Sequence, residues 1–193
     1  MMNFFKGISN LLKTGGMLFI FEVVLSFFSL IIIGLDKETQ MIWAVLLTIL
    51  FLVTVIIFIW LMSASAAYKD FNTRRNNELR IKNGEEVPAY KRMQGYRWFN
   101  GYLMGLISVL PLLIIVIIGG FLPLNEAGGN AMTVTANLIY GIFFLPLHLI
   151  MDSPSSWYML YAVVLVPIIS GLGYQWKGYK MQMQYLKLTH QID

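Results

Sequence analysis

Charge is scarce in this sequence and cysteine is absent: 12% of the 193 residues are Asp, Glu, Lys or Arg, and none is Cys. Soluble domains carry roughly 25% charged residues, so a solvated globular surface is excluded as the ordinary reading. Without cysteine there is no disulfide framework, no thiolate metal site and no cysteine nucleophile. Histidine is nearly absent, with only His148 and His190, so there is no HExxH zinc helix. No GxSxG elbow, Walker loop or dinucleotide fingerprint occurs either. No catalytic residue, metal or cofactor is therefore expected. No Asn-x-Ser/Thr acceptor is present, which is compatible with a bacterial plasma membrane.

What the chain has in abundance is apolar residues, 58% of the total. The hydrocarbon core of a bilayer is about 30 Å thick, so a spanning helix needs roughly 20 apolar residues at about 1.5 Å each. Segments 17–35, 42–67, 101–122 and 157–175 meet that requirement. The fold class expected is all-α, a single polytopic membrane domain over 1–193 with four transmembrane helices. Segment 138–150 is too short to span, about 20 Å as a helix, and Pro146 interrupts it. It reads as a re-entrant or surface helix. Extending it back to Met132 reaches membrane length only by taking in Thr133, Thr135 and Asn137. The first apolar run ends Ile33-Gly34-Leu35-Asp36 with no small-x-small site, so it is expected to stay as a span.

Positive charge sets the orientation. Segment 68–97 holds Lys69, Arg74, Arg75, Arg80, Lys82, Lys91, Arg92 and Arg97, and basic loops remain on the cytoplasmic side. With four spans, Lys6, Lys13, Lys177, Lys180 and Lys187 are also inside and Lys37 alone is outside. Five spans would put the three C-terminal lysines outside. Both ends are therefore expected in the cytoplasm. Trp43, Trp157, Trp98, Tyr102, Tyr174 and Trp176 mark span ends, where amphipathic rings favour the interface.

Before the first span, Phe4, Phe5, Ile8, Leu11 and Leu12 recur at helical spacing opposite Lys6, Ser9, Asn10 and Lys13. This predicts an interfacial helix over 1–16, with Gly15 and Gly16 turning the chain into the bilayer. In the basic segment, Asp70 with Arg74 and Glu78 with Lys82 have i,i+4 spacing, so the second span continues as a helix until Asn83-Gly84. Lys69, Arg74, Arg75, Lys91, Arg92 and Arg97 are the expected contacts to anionic lipid. The net charge of +4 lies beside hydrophobic segments, which favours a membrane surface over nucleic acid. Glu85-Glu86 and Phe144-x-x-x-His148 resemble pieces of the EExxxR and FxxxH motifs of the CAAX-processing intramembrane proteases. Position 90 is Tyr where that motif has Arg, and the glutamates lie in a hydrophilic loop, so the activity is not carried over.

Glu22 is the ionisable residue inside a span and the candidate intramembrane polar site. A charge at mid-membrane costs about 2.5–3.5 kcal/mol on insertion scales, so Glu22 must face the bundle, be protonated or reach the headgroups. Ser63, Ser65 and Asn100 are its candidate partners. His148 and Asp152 are spaced as neighbours on a helix but supply too few ligands for a metal. Gly101, Gly105, Ser63 and Gly171 are small residues suited to close helix packing. The function expected is a non-enzymatic membrane component acting through protein or lipid partners. The alternative is a small transporter or channel subunit that uses Glu22 in a polar pathway, with a homo-oligomer as one arrangement.

Overall fold

A computed structural model describes residues 2–33, 37–88, 91, 95–122, 131–150 and 156–188. Arg92 and Asp152 lie outside the described residues, as do the end of the first expected span and the side chain of His148. The described chain is all-α: α1 (Met2–Ile33), α2 (Lys37–Lys82), α3 (Asn100–Phe121), α4 (Ala131–Ile150) and α5 (Leu160–Leu188), the last preceded by a 3-10 turn, Ser156–Met159. Four of these helices, α1, α2, α3 and α5 with its leading turn, contain stretches long and apolar enough to cross a membrane. The matching stretches are Ser9–Ser29, Ile42–Lys82, Asn100–Gly119 and Trp157–Lys187.

Burial along α1 follows a seven-residue rhythm. Leu11, Gly15, Leu18, Glu22, Ser26 and Ser29 are buried, whereas Ile20, Val24, Phe27 and Phe28 are exposed. A similar stripe on α2 runs through Ala44, Thr48, Val55, Ile59, Ser63 and Asp70, while Ile42 is 76% exposed. Glu22, Ser26, Ser29, Thr48, Ser63 and Asp70 face inward beside apolar residues such as Leu18 and Ile59, while large apolar side chains cover the outer face. Water would penalise that arrangement at roughly 25 cal/mol per Å² of apolar surface, but hydrocarbon does not.

The helix bounds depart from the sequence reading at two places. Residues 1–16 are not a separate helix: α1 runs unbroken through Gly15 and Gly16. The two glycines differ in role, since a Cβ on Gly15 would come within 2.7 Å of Ile107 Cγ2 and 2.9 Å of the Met104 carbonyl, while one on Gly16 would meet nothing. Gly15 thus serves close approach and not a bend. The short helix also begins earlier than position 138. It starts at Ala131 and bends at Tyr140, whose backbone (φ −126°, ψ 26°) leaves the helical region.

The end of α2 has a simple local cause. Gly84 adopts φ +79°, a conformation open to glycine, and lets the Gly84 amide reach the Ile81 carbonyl at 3.0 Å and the Glu85 amide the Arg80 carbonyl at 2.9 Å. These paired bonds satisfy carbonyls that the finished helix would otherwise leave open.

The chain divides into two compact units. One comprises Met1–Gly16, Ile59–Ile107 and Pro167–Asp193; the other comprises Met17–Phe58 and Ser108–Val166. The first contains a cluster formed by Leu11, Ala66, Ala67, Met104 and Tyr174, with Tyr96 and Ile107 packed against it. The second contains the fully buried Leu18, Leu112, Tyr140, Phe144 and Met159.

Candidate functional site

In the second unit, polar residues gather around α1. Glu22 has 0% exposure, and its Oε1 accepts a hydrogen bond from the Ser108 hydroxyl of α3 at 3.3 Å. Its Oε2 is buried with no hydrogen-bond partner among the described residues. One turn along, the Ser26 hydroxyl donates to the Glu22 carbonyl at 2.8 Å, and the Ser29 hydroxyl donates to the Ser26 carbonyl at 2.6 Å. These bonds tie two serines to their own helix, a common way to bury hydroxyls in apolar surroundings.

The bend in α4 fits onto this serine-rich face. Ser26 Oγ accepts from the Ile142 amide at 3.4 Å, so a serine of α1 supplies an acceptor beside the bend. Gly141 lies against the Ser29 hydroxyl, where any side chain would collide. The Tyr140 hydroxyl donates to the Ser108 carbonyl at 2.8 Å. Ser108 therefore links the acid on α1 to the bend in α4. Beyond it, the Tyr161 hydroxyl donates to the Phe143 carbonyl.

None of the three partners read from sequence touches Glu22 through a hydrogen bond in the structure. Ser63 instead shares a 2.8 Å bond with Ser170, and Ser170 donates to the Gly101 carbonyl at 2.7 Å. Ser65 is exposed on α2. Asn100 belongs to another polar group, in the first unit.

That group is centred on Asp70, a residue read from the sequence as a surface partner for Arg74. Asp70 is only 4% exposed, and its Oδ2 accepts from the Tyr174 hydroxyl at 2.6 Å and from Asn100 Nδ2 at 3.4 Å. Asn100 Nδ2 also lies within reach of the Gly95 carbonyl and the Tyr174 hydroxyl. The Tyr96 ring stacks on Tyr174 at 5.2 Å between centroids, and its amide donates to the Asp70 carbonyl at 3.2 Å. Burial pushes the Tyr96 phenol up, keeping it neutral in this stack. Replacing Tyr174 with Phe should destabilise the chain by about 1–3 kcal/mol, because a buried acceptor and a buried donor both lose a partner. A detergent melting temperature equal to that of the parent would show that the network contributes nothing.

With Asp70 turned inward, Arg74 pairs with Glu78 at 2.8 Å and Arg80 with Glu85 at 2.6 Å. Arg75 lies over the Tyr185 ring at 5.0 Å. Lys69 and Arg97 are exposed, and the Lys91 carbonyl accepts from Asn77. A cavity of about 320 Å³ is lined by Arg74, Asn77, Glu78, Ile81, Gly95, Tyr96 and Arg97. A second, of about 200 Å³, is lined by Phe71, Arg74, Arg75, Glu78, Gln182, Tyr185 and Leu186. Each wall carries one more positive than negative side chain.

The small residues lie at close contacts within the first unit. A Cβ on Gly101 would stand 2.8 Å from the Ser170 carbonyl, and one on Gly105 would stand 2.6 Å from Pro167 Cα. Gly171 lies against the Tyr102 ring. Among the described residues, no three His, Asp or Glu side chains gather as a metal site would require. No protein-family model, no curated protein and no solved structure matches the chain.

Proposed function

We propose that this chain is a non-enzymatic component of a plasma membrane, bacterial in type, which works through lipid or protein partners. The observation that supports this most is the basic surface described above: α2 continues as one helix from its apolar stretch to Lys82, carrying Arg74 and Arg75 into cavities with a net positive wall. An anionic headgroup is the simplest partner for such a wall, at about 1 kcal/mol per well-placed base. Purification from the native membrane, followed by identification of bound lipids and proteins, tests the reading. Anionic lipid retained by the parent should be lost on joint replacement of Arg75 and Arg97 by Gln. A chain that purifies alone, with the same lipids as its variant, would refute it.

This surface is cytoplasmic in the proposed topology, with both ends of the chain on the same side, because thirteen of the fourteen Lys and Arg then lie inside. Accessibility tags at the first residue, near Gly84 and at the last residue should all report the cytoplasm. A C-terminal tag exposed to the outside while the other two tags report the cytoplasm would overturn four-span threading.

A second reading, a small transporter or channel subunit, is favoured by one observation: the unpartnered Oε2 of Glu22 inside an apolar stretch. Ion flux into vesicles holding the purified chain, abolished by Glu22→Gln, is its expected signature. Absence of flux from a folded chain would remove it.

A further inference from the structure

We propose that Glu22 is a proton-binding site, held as a neutral acid inside the membrane and able to exchange its proton. The proposal names the ion for the transport reading, and it rests on the surroundings of Glu22 instead of on any measured flux.

An ionised carboxylate presents about four lone-pair positions to its surroundings. Here one hydroxyl bond at 3.3 Å reaches Oε1, and nothing reaches Oε2. A buried charge left in that condition is far more costly than a buried neutral acid. Among the described residues, no cation pairs with it. Across Met17–Phe58 and Ser108–Val166 there is no arginine, and the only bases are Lys37, at the start of α2, and His148, near the end of α4. The other acids in these stretches are Asp36, Glu126 and Asp152, outside the described residues, and Glu38, in the first turn of α2. Among the described side chains of α4, the titratable one is Tyr140, bonded to the Ser108 carbonyl. The one from α5 is Tyr161, bonded to the Phe143 carbonyl, and α3 presents the Ser108 hydroxyl.

A metal cation fits less well. Such ions take about six oxygens in a converging shell. The nearby hydroxyls do not converge: Ser26 and Ser29 direct their protons to carbonyls of α1, and Ser26 Oγ also accepts from the Ile142 amide. A proton needs only the one free oxygen. The site is closed to solvent at Glu22, Ser108 and Tyr140, so exchange requires a transient local opening that admits water.

Dicyclohexylcarbodiimide tests this on the full chain in phosphatidylcholine vesicles. The reagent is lipophilic and adds to carboxylic acids in their protonated form. The acid's O–H adds across one C=N bond, its proton moves to nitrogen, and an acyl shift from oxygen to nitrogen gives a stable N-acylurea with no leaving group. Mass spectrometry at neutral pH should find one adduct on the peptide containing Glu22. Exposed Glu85 and Glu86 should remain unmodified, since the lipophilic reagent partitions into hydrocarbon and away from solvated side chains. The adduct should vanish in Glu22→Gln, fall several-fold in alkaline buffer, and be the same in sodium chloride as in choline chloride.

Protection by sodium alone would overturn the proposal in favour of a cation site. Labelling that does not change with pH would overturn exchange. Infrared spectra give a readout independent of reagent access: a protonated carboxyl band present in the parent and missing in Glu22→Gln is expected, and its absence from the parent defeats the proposal.

Discussion

Gly105→Ile and Gly101→Ile should each lower the stability of the detergent-solubilised chain by about 3 kcal/mol or more, at the upper end of what overpacking costs. The collision is with atoms that cannot rotate away. At Gly105 the added Cβ meets the Pro167 backbone, and at Gly101 it meets the Ser170 carbonyl and the Tyr174 Cβ. Separating the helices to relieve it would stretch the bond from Ser170 to the Gly101 carbonyl and loosen the bond between Ser63 and Ser170. Gly16 supplies the control, because a Cβ there meets nothing within 4 Å. Gly16→Ala should be neutral or stabilise by up to about 1 kcal/mol, the helix-propensity difference. Thermal melting of the three variants decides the matter: equal midpoints for Gly105→Ile and the parent would mean that these helices do not depend on close approach.

That control also shows where the sequence stops being informative. Gly15 and Gly16 are neighbours of the same type, and only the position of α3 residues Met104 and Ile107 distinguishes them. The four long apolar stretches were legible because hydrocarbon thickness fixes a length that residue counting detects. The end of α2 was legible at Asn83-Gly84 because its cause is local. Asp70 was not. Its i,i+4 spacing to Arg74 is genuine, yet Arg74 has the same spacing to Glu78, and Asp70 shares the inner face of α2 with Ser63, seven residues earlier. Tyr174 and Asn100, which decide between the two pairings, lie 104 and 30 residues away. Glu22, Ser26 and Ser29 stand at i, i+4 and i+7, a spacing that marks one polar face inside an apolar helix and was available as a signal. The partner on that face, Ser108, is 86 residues away and had no local trace.

The other large effect is expected at Glu22, where leucine and glutamine should separate. Leucine removes the cost of burying an acid, which by itself would stabilise a helix in hydrocarbon. Against that, the site is closed to solvent, and the branched end of leucine must fit where the Ser108 hydroxyl points at Oε1. Taking away that acceptor and crowding the site should together cost about 1–3 kcal/mol. Glutamine retains the size and the acceptor oxygen, and its added amide hydrogens resemble the proton that a neutral acid carries. Glu22→Gln should therefore melt within a degree or two of the parent, since a shift of that size corresponds to a few tenths of a kcal/mol in a chain of this length. Glu22→Leu should melt several degrees lower. A leucine variant as stable as the parent would place Glu22 outside any buried polar contact, whereas a glutamine variant as damaged as leucine would mean that the carboxyl needs its charge.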